Sequence, residues 1–167
     1  MSTASVKNSP VLILLGGNQG DVRSNGTYVR EKLDREFGVV ASSHWYSSPA
    51  WGFEGAPFLN AVLELNPVRD VEALLSFCLE IERELGRVRS GQGYSDRPMD
   101  VDILYVGQNV MKSDTLEIPH PRIAERRFTL VPLCEKWGEF HHPVLGLTQN
   151  QLLKDCQDSS KVERAEA

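Results

Sequence analysis

Residues 97–107, RPMDVDILYVG, combine one arginine, two aspartates and a run of aliphatic side chains. Asp100 and Asp102 alternate with Met99, Val101 and Ile103, which is the two-residue period of a β-strand. Residues two apart in a strand share a face and lie about 6.5–7 Å apart. Two carboxylates at that spacing repel each other, and bound divalent cations remove the repulsion. The alternative is a solvent-facing strand with two ordinary surface aspartates.

Arginines precede this strand at positions 87, 89 and 97, around the Gly- and Ser-containing stretch 90–93. The guanidinium group stays charged and pairs with phosphate oxygens through its fork of N–H donors. Arginines on a loop that faces two metal-binding carboxylates are typical of phosphoryl transfer, which depends on positioning and charge stabilisation. Surface ion pairs between these groups are the alternative, and such pairs contribute little to stability.

Apolar periodicity predicts the remaining elements. Residues 11–18, 39–48 and 57–66 have strand patterns, whereas 22–37 and 69–85 have the apolar stripe of a helix. We interpret Gly16 and Gly17 as breakers in a turn after the first strand. With the aspartate strand, the order is β-α-β-β-α-β. This order predicts an α+β ferredoxin-like sandwich, an antiparallel sheet flanked by helices.

The 167 residues suit one domain, and 41% hydrophobic with 25% charged residues is an ordinary globular composition. We predict a disordered leader over 1–10, a single domain over 11–157 and a frayed tail over 158–167.

Bulk properties exclude several classes of protein. A net charge of -5 argues against a non-specific nucleic-acid binder. The apolar runs are too short to cross a bilayer, and the polar N-terminus has no signal-peptide core. The three cysteines have no metal-binding or CxxC spacing, which favours free thiols in a reducing compartment. We therefore expect a cytoplasmic protein.

Glu82 falls within the apolar stripe of the second predicted helix. An inward carboxylate near a helix C-terminus is disfavoured by desolvation and by the helix dipole. Either a nearby arginine or a ligand donor compensates it, or the helix rotates and Glu82 reaches solvent.

Aromatic side chains cluster around the start of the predicted strand 57–66. Trp51 and Phe53 precede this strand, and Phe58 and Asn60 lie in it. With Phe128 they can form flat apolar walls beside an amide, which suits a planar heterocycle. Such aromatics are also common in a plain core. His120, between two prolines, is either structural or catalytic.

Several ordered segments together carry a resemblance to a known family. These are LGGNQGD, YSSPAWG, FLNAVLEL, ELGRVR, RPMDVDILYVG and IPHPRIAERRFTLVPLCE. Over roughly residues 11 to 135 the chain resembles the 6-hydroxymethyl-7,8-dihydropterin pyrophosphokinases of folate biosynthesis. The resemblance implies transfer of diphosphate from ATP to the 6-hydroxymethyl group of the pterin, which gives AMP and the pterin diphosphate.

The resemblance also implies roles for individual residues. Two Mg²⁺ ions are expected on Asp100 and Asp102, which form the catalytic group with Arg87 and Arg97. ATP is expected to contact Glu82, Arg89, Tyr94, Ile103, His120 and Arg126. The pterin is expected to contact Ser48, Pro49, Trp51, Phe58, Asn60 and Phe128. Tyr94 stands where the family commonly has Trp, and Phe58 where Tyr is frequent.

The expected partners are ATP and hydroxymethyl-dihydropterin, bound by a monomer without nucleic acid or membrane. Two alternatives stay open from the residues themselves. One is another Mg²⁺-dependent nucleotide phosphotransferase on the same fold, which would not need the aromatic pair Phe58 and Phe128. The other is a non-enzymatic ferredoxin-like ligand-binding module, which would not need two carboxylates beside an arginine loop.

Overall fold

A computed structural model describes residues 9–50, 54–86 and 98–165. The strands are β1 (Val11–Gly17), β2 (Val39–Ser42), β3 (Tyr46–Ser48), β4 (Phe58–Leu65), β5 (Asp100–Val106), β6 (Met111–Lys112), β7 (Glu117–Ile118) and β8 (Glu163–Arg164). The helices are α1 (Val22–Phe37), α2 (Val71–Glu84), α3 (Arg127–Trp137) and α4 (Gln149–Asp155), with a 3₁₀ turn at Ile123–Glu125. None of the helices in these ranges is long and apolar enough to cross a membrane.

The main sheet has the strand order β5-β1-β4-β3-β8, and β2 also pairs with β4. Every pairing in it is antiparallel. The predicted α+β antiparallel sheet with flanking helices is therefore confirmed. The predicted strand over 39–48 is divided into β2 and β3. Between them, the Ser43 hydroxyl accepts a hydrogen bond from the main-chain N–H of Val62 at 2.9 Å. A separate two-stranded ribbon joins β6 and β7.

Each face of the sheet buries its own apolar core. The first core joins α1 and α2 to one face and contains Ile13, Leu15 and Ile103. The second joins α3 and α4 to the opposite face and contains Leu14 and Val62. Alternate residues of one strand therefore enter different cores, which fixes the register of the sheet.

The helices that flank the first core have local start signals. The Asp21 side chain accepts the N–H of Ser24 at 3.1 Å to begin α1, and Asp70 accepts that of Ala73 at 3.0 Å to begin α2. Gly38, with φ of 81°, ends α1 in a conformation that glycine adopts without strain. These positions agree with the helices predicted from periodicity.

The C-terminal residues differ from the frayed tail that we predicted. Residues 163–164 pair with β3, and the N–H of Ala165 donates to the carbonyl of Trp45 at 2.8 Å. Without this pairing the outer edge of β3 would expose its main-chain groups. This segment is held by its pairing with the sheet. Its charge and its position near the end of the sequence do not predict that pairing. Residues 1–8, 166 and 167 lie outside the described ranges.

Candidate active site

One row of residues crosses three strands of the sheet. Gly16 of β1 lies between Asn60 of β4 on one side and Asp100 of β5 on the other. Neighbouring strands are about 4.8 Å apart, so the backbones of Asn60 and Asp100 are separated by about 10 Å. The row lies on the face of the sheet that α3 covers. Leu14 and Val62 are two residues from Gly16 and Asn60 on the same strands, and both pack in the second core.

Gly16, at the centre of this row, has no side chain, and the Asn60 amide lies over it. A Cβ atom at Gly16 would lie 2.7 Å from the amide oxygen of Asn60, closer than real contacts allow. The residue is part of β1, so our interpretation of Gly16 and Gly17 as turn breakers was wrong. Glycine inside a strand marks a close approach, and here the approach is by the Asn60 side chain. The sequence shows the two glycines but not the strand pairing that gives Gly16 this role.

Asp100 and Asp102 share one half-buried face of β5, whereas Val101 and Ile103 between and beyond them are buried. This alternation agrees with the predicted strand. Helix α2 fixes the same strand through Glu82, whose Oε2 accepts the main-chain N–H of Val101 at 2.7 Å. Glu82 is only 2% exposed, so the alternative in which it turns to solvent is wrong.

The two aspartates fit the magnesium that the resemblance implies. They are hard oxygen ligands on one face of β5. No group of three or more His, Cys, Asp or Glu side chains able to hold a metal ion is found in residues 9–50, 54–86 and 98–165. Mg²⁺ is often held by one or two carboxylates together with substrate phosphates and water, and this pair matches that ligand set.

Asn60 is held by its neighbour across the strands. Its Nδ2 donates to the Oγ of Ser48 at 2.9 Å, and both residues are buried, at 2% and 3% exposure. The amide oxygen lies over Gly16, where it can accept from a ligand donor. Pro49, which follows Ser48, is exposed.

Two aromatic residues flank this amide. Phe58 is half-buried on the same face of β4 as Asn60, and Phe128 is half-buried in the first turn of α3. The guanidinium carbon of Arg126 lies 5.5 Å from the centre of the Phe128 ring, within the range of a cation–π contact. The helix that carries Phe128 packs on β3 and β4. The structure thus brings Ser48, Phe58, Asn60 and Phe128 to the α3 side of the sheet.

His120 is positioned by the main chain of β5, since its N–H donates to the carbonyl of Leu104 at 2.9 Å. Burial, together with the charges of Arg126 and Arg122, lowers the pKa of His120 to about 4. Its Nδ1 accepts the N–H of Arg122 at 3.2 Å. The ring is therefore neutral at pH 7 with its proton on Nε2, which can donate to an anionic ligand.

Ile103 has its side chain in the first core, on the face opposite to the aspartates. Main-chain groups of residues two apart point to the same edge of an antiparallel strand. Since the Val101 N–H is directed to Glu82, away from β1, the main chain of Ile103 also faces the outer edge. Contact with ATP through that main chain stays a prediction. The predicted site residues Trp51, Arg87, Arg89, Tyr94 and Arg97 lie outside the described ranges.

The fold is an α+β domain, and its candidate site lies at one end of the sheet. The sequence model of the family described as 7,8-dihydro-6-hydroxymethylpterin-pyrophosphokinase (HPPK) matches residues 12–137. The chain belongs to this family, which confirms the resemblance found from its motifs.

Curated relatives agree with the family assignment. A 2-amino-4-hydroxy-6-hydroxymethyldihydropteridine pyrophosphokinase of Porphyromonas gingivalis is 38% identical over 130 residues, which cover 75% of this chain and 88% of that protein. The Folic acid synthesis protein FOL1 of Dictyostelium discoideum is 32% identical over 152 residues, 90% of this chain. The chain spans only 23% of the length of that second protein.

Solved structures show the same fold. The wild-type HPPK-DHPS protein of Plasmodium falciparum aligns with a TM-score of 0.69 at 13% identity, over 87% of this chain and 44% of that one. An HPPK-DHPS protein solved in complex with substrates aligns with a TM-score of 0.66 over 88% of this chain and 43% of that one, at 11% identity. At these identities the likeness concerns the fold alone.

Proposed function

We propose that this chain transfers diphosphate from ATP to the hydroxymethyl group of 6-hydroxymethyl-7,8-dihydropterin, as an ATP-dependent pyrophosphokinase of folate biosynthesis. The observation that carries this proposal is the row Asn60–Gly16–Asp100. In this row the Asn60 amide and the Asp100 carboxylate lie on the same face of the sheet, and the residue between them, Gly16, has no side chain. Two substrates that react with each other need such neighbouring sites.

The pterin is held by the Asn60 side of the row. The Asn60 amide oxygen accepts from the N–H edge of the ring system, and Ser48 fixes the orientation of that amide. Phe58 and Phe128 supply apolar surfaces for the ring faces, a role in which Trp51 and Pro49 also take part. The hydroxymethyl group then points along the row toward the aspartates.

ATP is held by β5 and the segments around it. Asp100 and Asp102 would hold Mg²⁺, which when bound neutralises phosphate charge and orients the oxygens. The neutral His120 donates from Nε2, and Arg126 adds a positive charge beside Phe128. The main chain of Ile103 forms hydrogen bonds with ATP at the outer edge of β5. Arg87, Arg89, Tyr94 and Arg97 complete this proposed set.

In the proposed reaction the hydroxymethyl oxygen attacks the β-phosphorus of ATP, and the bond from that phosphorus to the α–β bridging oxygen breaks. AMP leaves with the bridging oxygen, and the attacking hydroxyl loses its proton. Asp100 and Asp102 are assigned to holding charge and Arg87 and Arg97 to clamping the phosphates. Catalysis then rests on alignment and on charge stabilisation, with no side chain assigned as general base.

The experiment that tests this function is AMP formation from ATP, Mg²⁺ and hydroxymethyl-dihydropterin. We expect AMP only when the pterin is present, together with the pterin diphosphate. Asp100→Asn and Asp102→Asn should each abolish turnover, while Asp114→Asn, at an exposed position in the turn after β6, should not. AMP formation without the pterin, or wild-type turnover by both aspartate variants at saturating Mg²⁺, would contradict the proposal.

The proposal extends to the setting of the protein. Cys78, Cys134 and Cys156 are free thiols, which is usual in a reducing compartment and supports the cytoplasm. We propose that the chain acts as a monomer on its two small substrates.

A further inference from the structure

The C-terminal segment 158–165, which we call the C-terminal strap, contacts two elements that carry residues of the candidate site, α3 and β3. At its start, Asp158 Oδ2 accepts the main-chain N–H of Arg127, the first residue of α3, at 3.0 Å. At its end, β8 pairs with β3 at Tyr46 and Ser47. The match to the family ends at residue 137, so the strap lies beyond it.

Helix α3 differs from the other helices in how it begins. The side chain of its N-cap residue, Arg126, makes no capping hydrogen bond. Helices α1, α2 and α4 are capped by the residues directly before them, Asp21, Asp70 and Thr148. In α3 this role falls to Asp158, which is 31 residues away in the sequence. A carboxylate at this position binds a main-chain donor that the helix itself does not satisfy and interacts favourably with the helix dipole.

Asp158 is itself held in place by the strap. The N–H and the Oγ of Ser160 donate to Oδ1 at 2.9 and 2.5 Å, so both carboxylate oxygens are engaged. Burial alone would raise the pKa of Asp158, but the hydrogen bonds from Ser160 and Arg127 outweigh it and lower that pKa. The carboxylate is therefore ionised at neutral pH and has a fixed direction.

The two contacts of the strap lie on opposite walls of the site. Arg127 is flanked by Arg126 and Phe128. The guanidinium carbon of Arg126 lies 5.5 Å from the centre of the Phe128 ring. On the other wall, β3 ends in Ser48, which holds the Asn60 amide. The strap therefore joins the helix that carries one aromatic surface to the strand that orients the amide.

We propose that Asp158 is a positioning residue for the pterin site. By capping α3 it sets the position of Phe128 and Arg126 relative to β3 and Asn60. The inference rests on the proposed function. It concerns the distance between the two walls and not a contact of Asp158 with substrate.

The test compares pterin affinity in the full chain by calorimetric titration with 6-hydroxymethylpterin. We expect Asp158→Ala to raise the Kd about fivefold to tenfold, because the first turn of α3 loses its cap. Asp158→Asn keeps an oxygen that accepts from Arg127 and should bind within about twofold of the wild type. The matched control is Asp155→Ala, at an exposed aspartate just before the strap, and should not change the Kd.

A purely stabilising role predicts something different. It would lower the melting temperature of Asp158→Ala, and Asn would restore that temperature, but the Kd of the folded protein would stay unchanged in both variants. Hydrogen exchange at the Arg127 amide gives a second readout, and we expect it to become faster in Asp158→Ala and not in Asp155→Ala.

Two outcomes would overturn the inference. Equal Kd values for the wild type and folded Asp158→Ala would overturn this inference and leave the proposed function intact. If Asp158→Ala does not fold, Ser160→Ala decides, because it removes one bond to Asp158 and should raise the Kd about threefold; an unchanged Kd overturns the inference. Failure of the wild type to bind the pterin would instead overturn the proposed function, and this inference with it.

Discussion

Glu82 on α2 accepts a hydrogen bond from the main-chain N–H of Val101 on β5, with 2.7 Å between Oε2 and nitrogen. Val101 lies between Asp100 and Asp102, so this bond fixes the part of the strand that carries both carboxylates. In the described ranges β1 is the only strand paired with β5 in the main sheet, and Glu82 occupies its other edge. The buried carboxylate thus takes the place of a neighbouring strand.

Replacing Glu82 should therefore loosen the aspartate strand. Glu82→Ala leaves a buried N–H without its acceptor, which we expect to cost about 1–3 kcal/mol in the free energy of unfolding. Glu82→Gln keeps an acceptor oxygen and should cost less. Urea denaturation measures both variants. Glu80→Ala is the control on the same helix, since Glu80 is 58% exposed and pairs with Arg83 at the surface. Equal losses in Glu82→Ala and Glu80→Ala would show that the bond to Val101 is unimportant.

Gly16→Ala should displace the Asn60 amide. The new Cβ would lie 2.7 Å from the Asn60 amide oxygen, and relieving such overpacking usually costs about 1–3 kcal/mol. We also expect pterin affinity to fall tenfold or more, equivalent to about 1.4 kcal/mol, because the amide must move. Calorimetry with a pterin analogue and urea denaturation measure the two effects.

A double mutant identifies the cause of the Gly16 effect. In an Asn60→Ala background the clash partner is absent, so Gly16→Ala should cost much less stability than in the wild type. Pterin binding should stay weak in the double mutant, because the accepting amide is missing. Additive stability losses would place the clash elsewhere than at Asn60.

The strands and helices were predictable because their apolar periods match the faces that they bury. The alternation in β5 gave the shared face of Asp100 and Asp102, and the structure agrees. The role of Gly16 was not predictable, since it depends on the register that brings Asn60 opposite. The capping role of Asp158 was not predictable for a similar reason. Its partner Arg127 is 31 residues away, and no local pattern connects the two residues.

Glu82 illustrates what an apolar pattern along a helix cannot predict, namely the partner of an individual side chain. The helical stripe left two alternatives open, an inward carboxylate or one that reaches solvent, and it could not identify the Val101 N–H as the partner. Long-range contacts between a helix and a strand edge depend on the packed fold. The proposed ligand, in turn, follows from the order of several motifs and not from any one residue.

Loss of one aromatic surface should weaken pterin binding. We expect Phe128→Ala and Phe58→Ala each to cost about 1–3 kcal/mol of binding free energy, from lost burial and lost stacking. Phe128→Leu keeps an apolar side chain without a ring and should fall between the wild type and Phe128→Ala. Calorimetric titration with a pterin analogue checks the series. An unchanged Kd in folded Phe128→Ala would mean that Phe128 only packs in the core.

The stability of the protein should fall between about pH 6.5 and about pH 4 in part through His120. Its pKa is lowered from 6.5 to about 4, mainly by burial, so the unfolded chain takes up this proton at a higher pH than the folded chain. The contribution of His120 is fully present above pH 6.5 and is lost as the pH falls toward 4. Burial also lowers the pKa of His142, which adds to the same trend.

His120→Asn separates the two histidines, because its side-chain oxygen can still accept the N–H of Arg122 but does not titrate. We expect the unfolding free energy of this variant, measured by urea denaturation from pH 4 to pH 7.5, to vary less with pH than that of the wild type. Part of the slope should remain because His142 is unchanged. The control is His141→Asn, at an exposed residue whose carbonyl, not its ring, accepts from Gln108. If His120→Asn and the wild type show the same slope, burial of a neutral His120 does not contribute to the pH dependence.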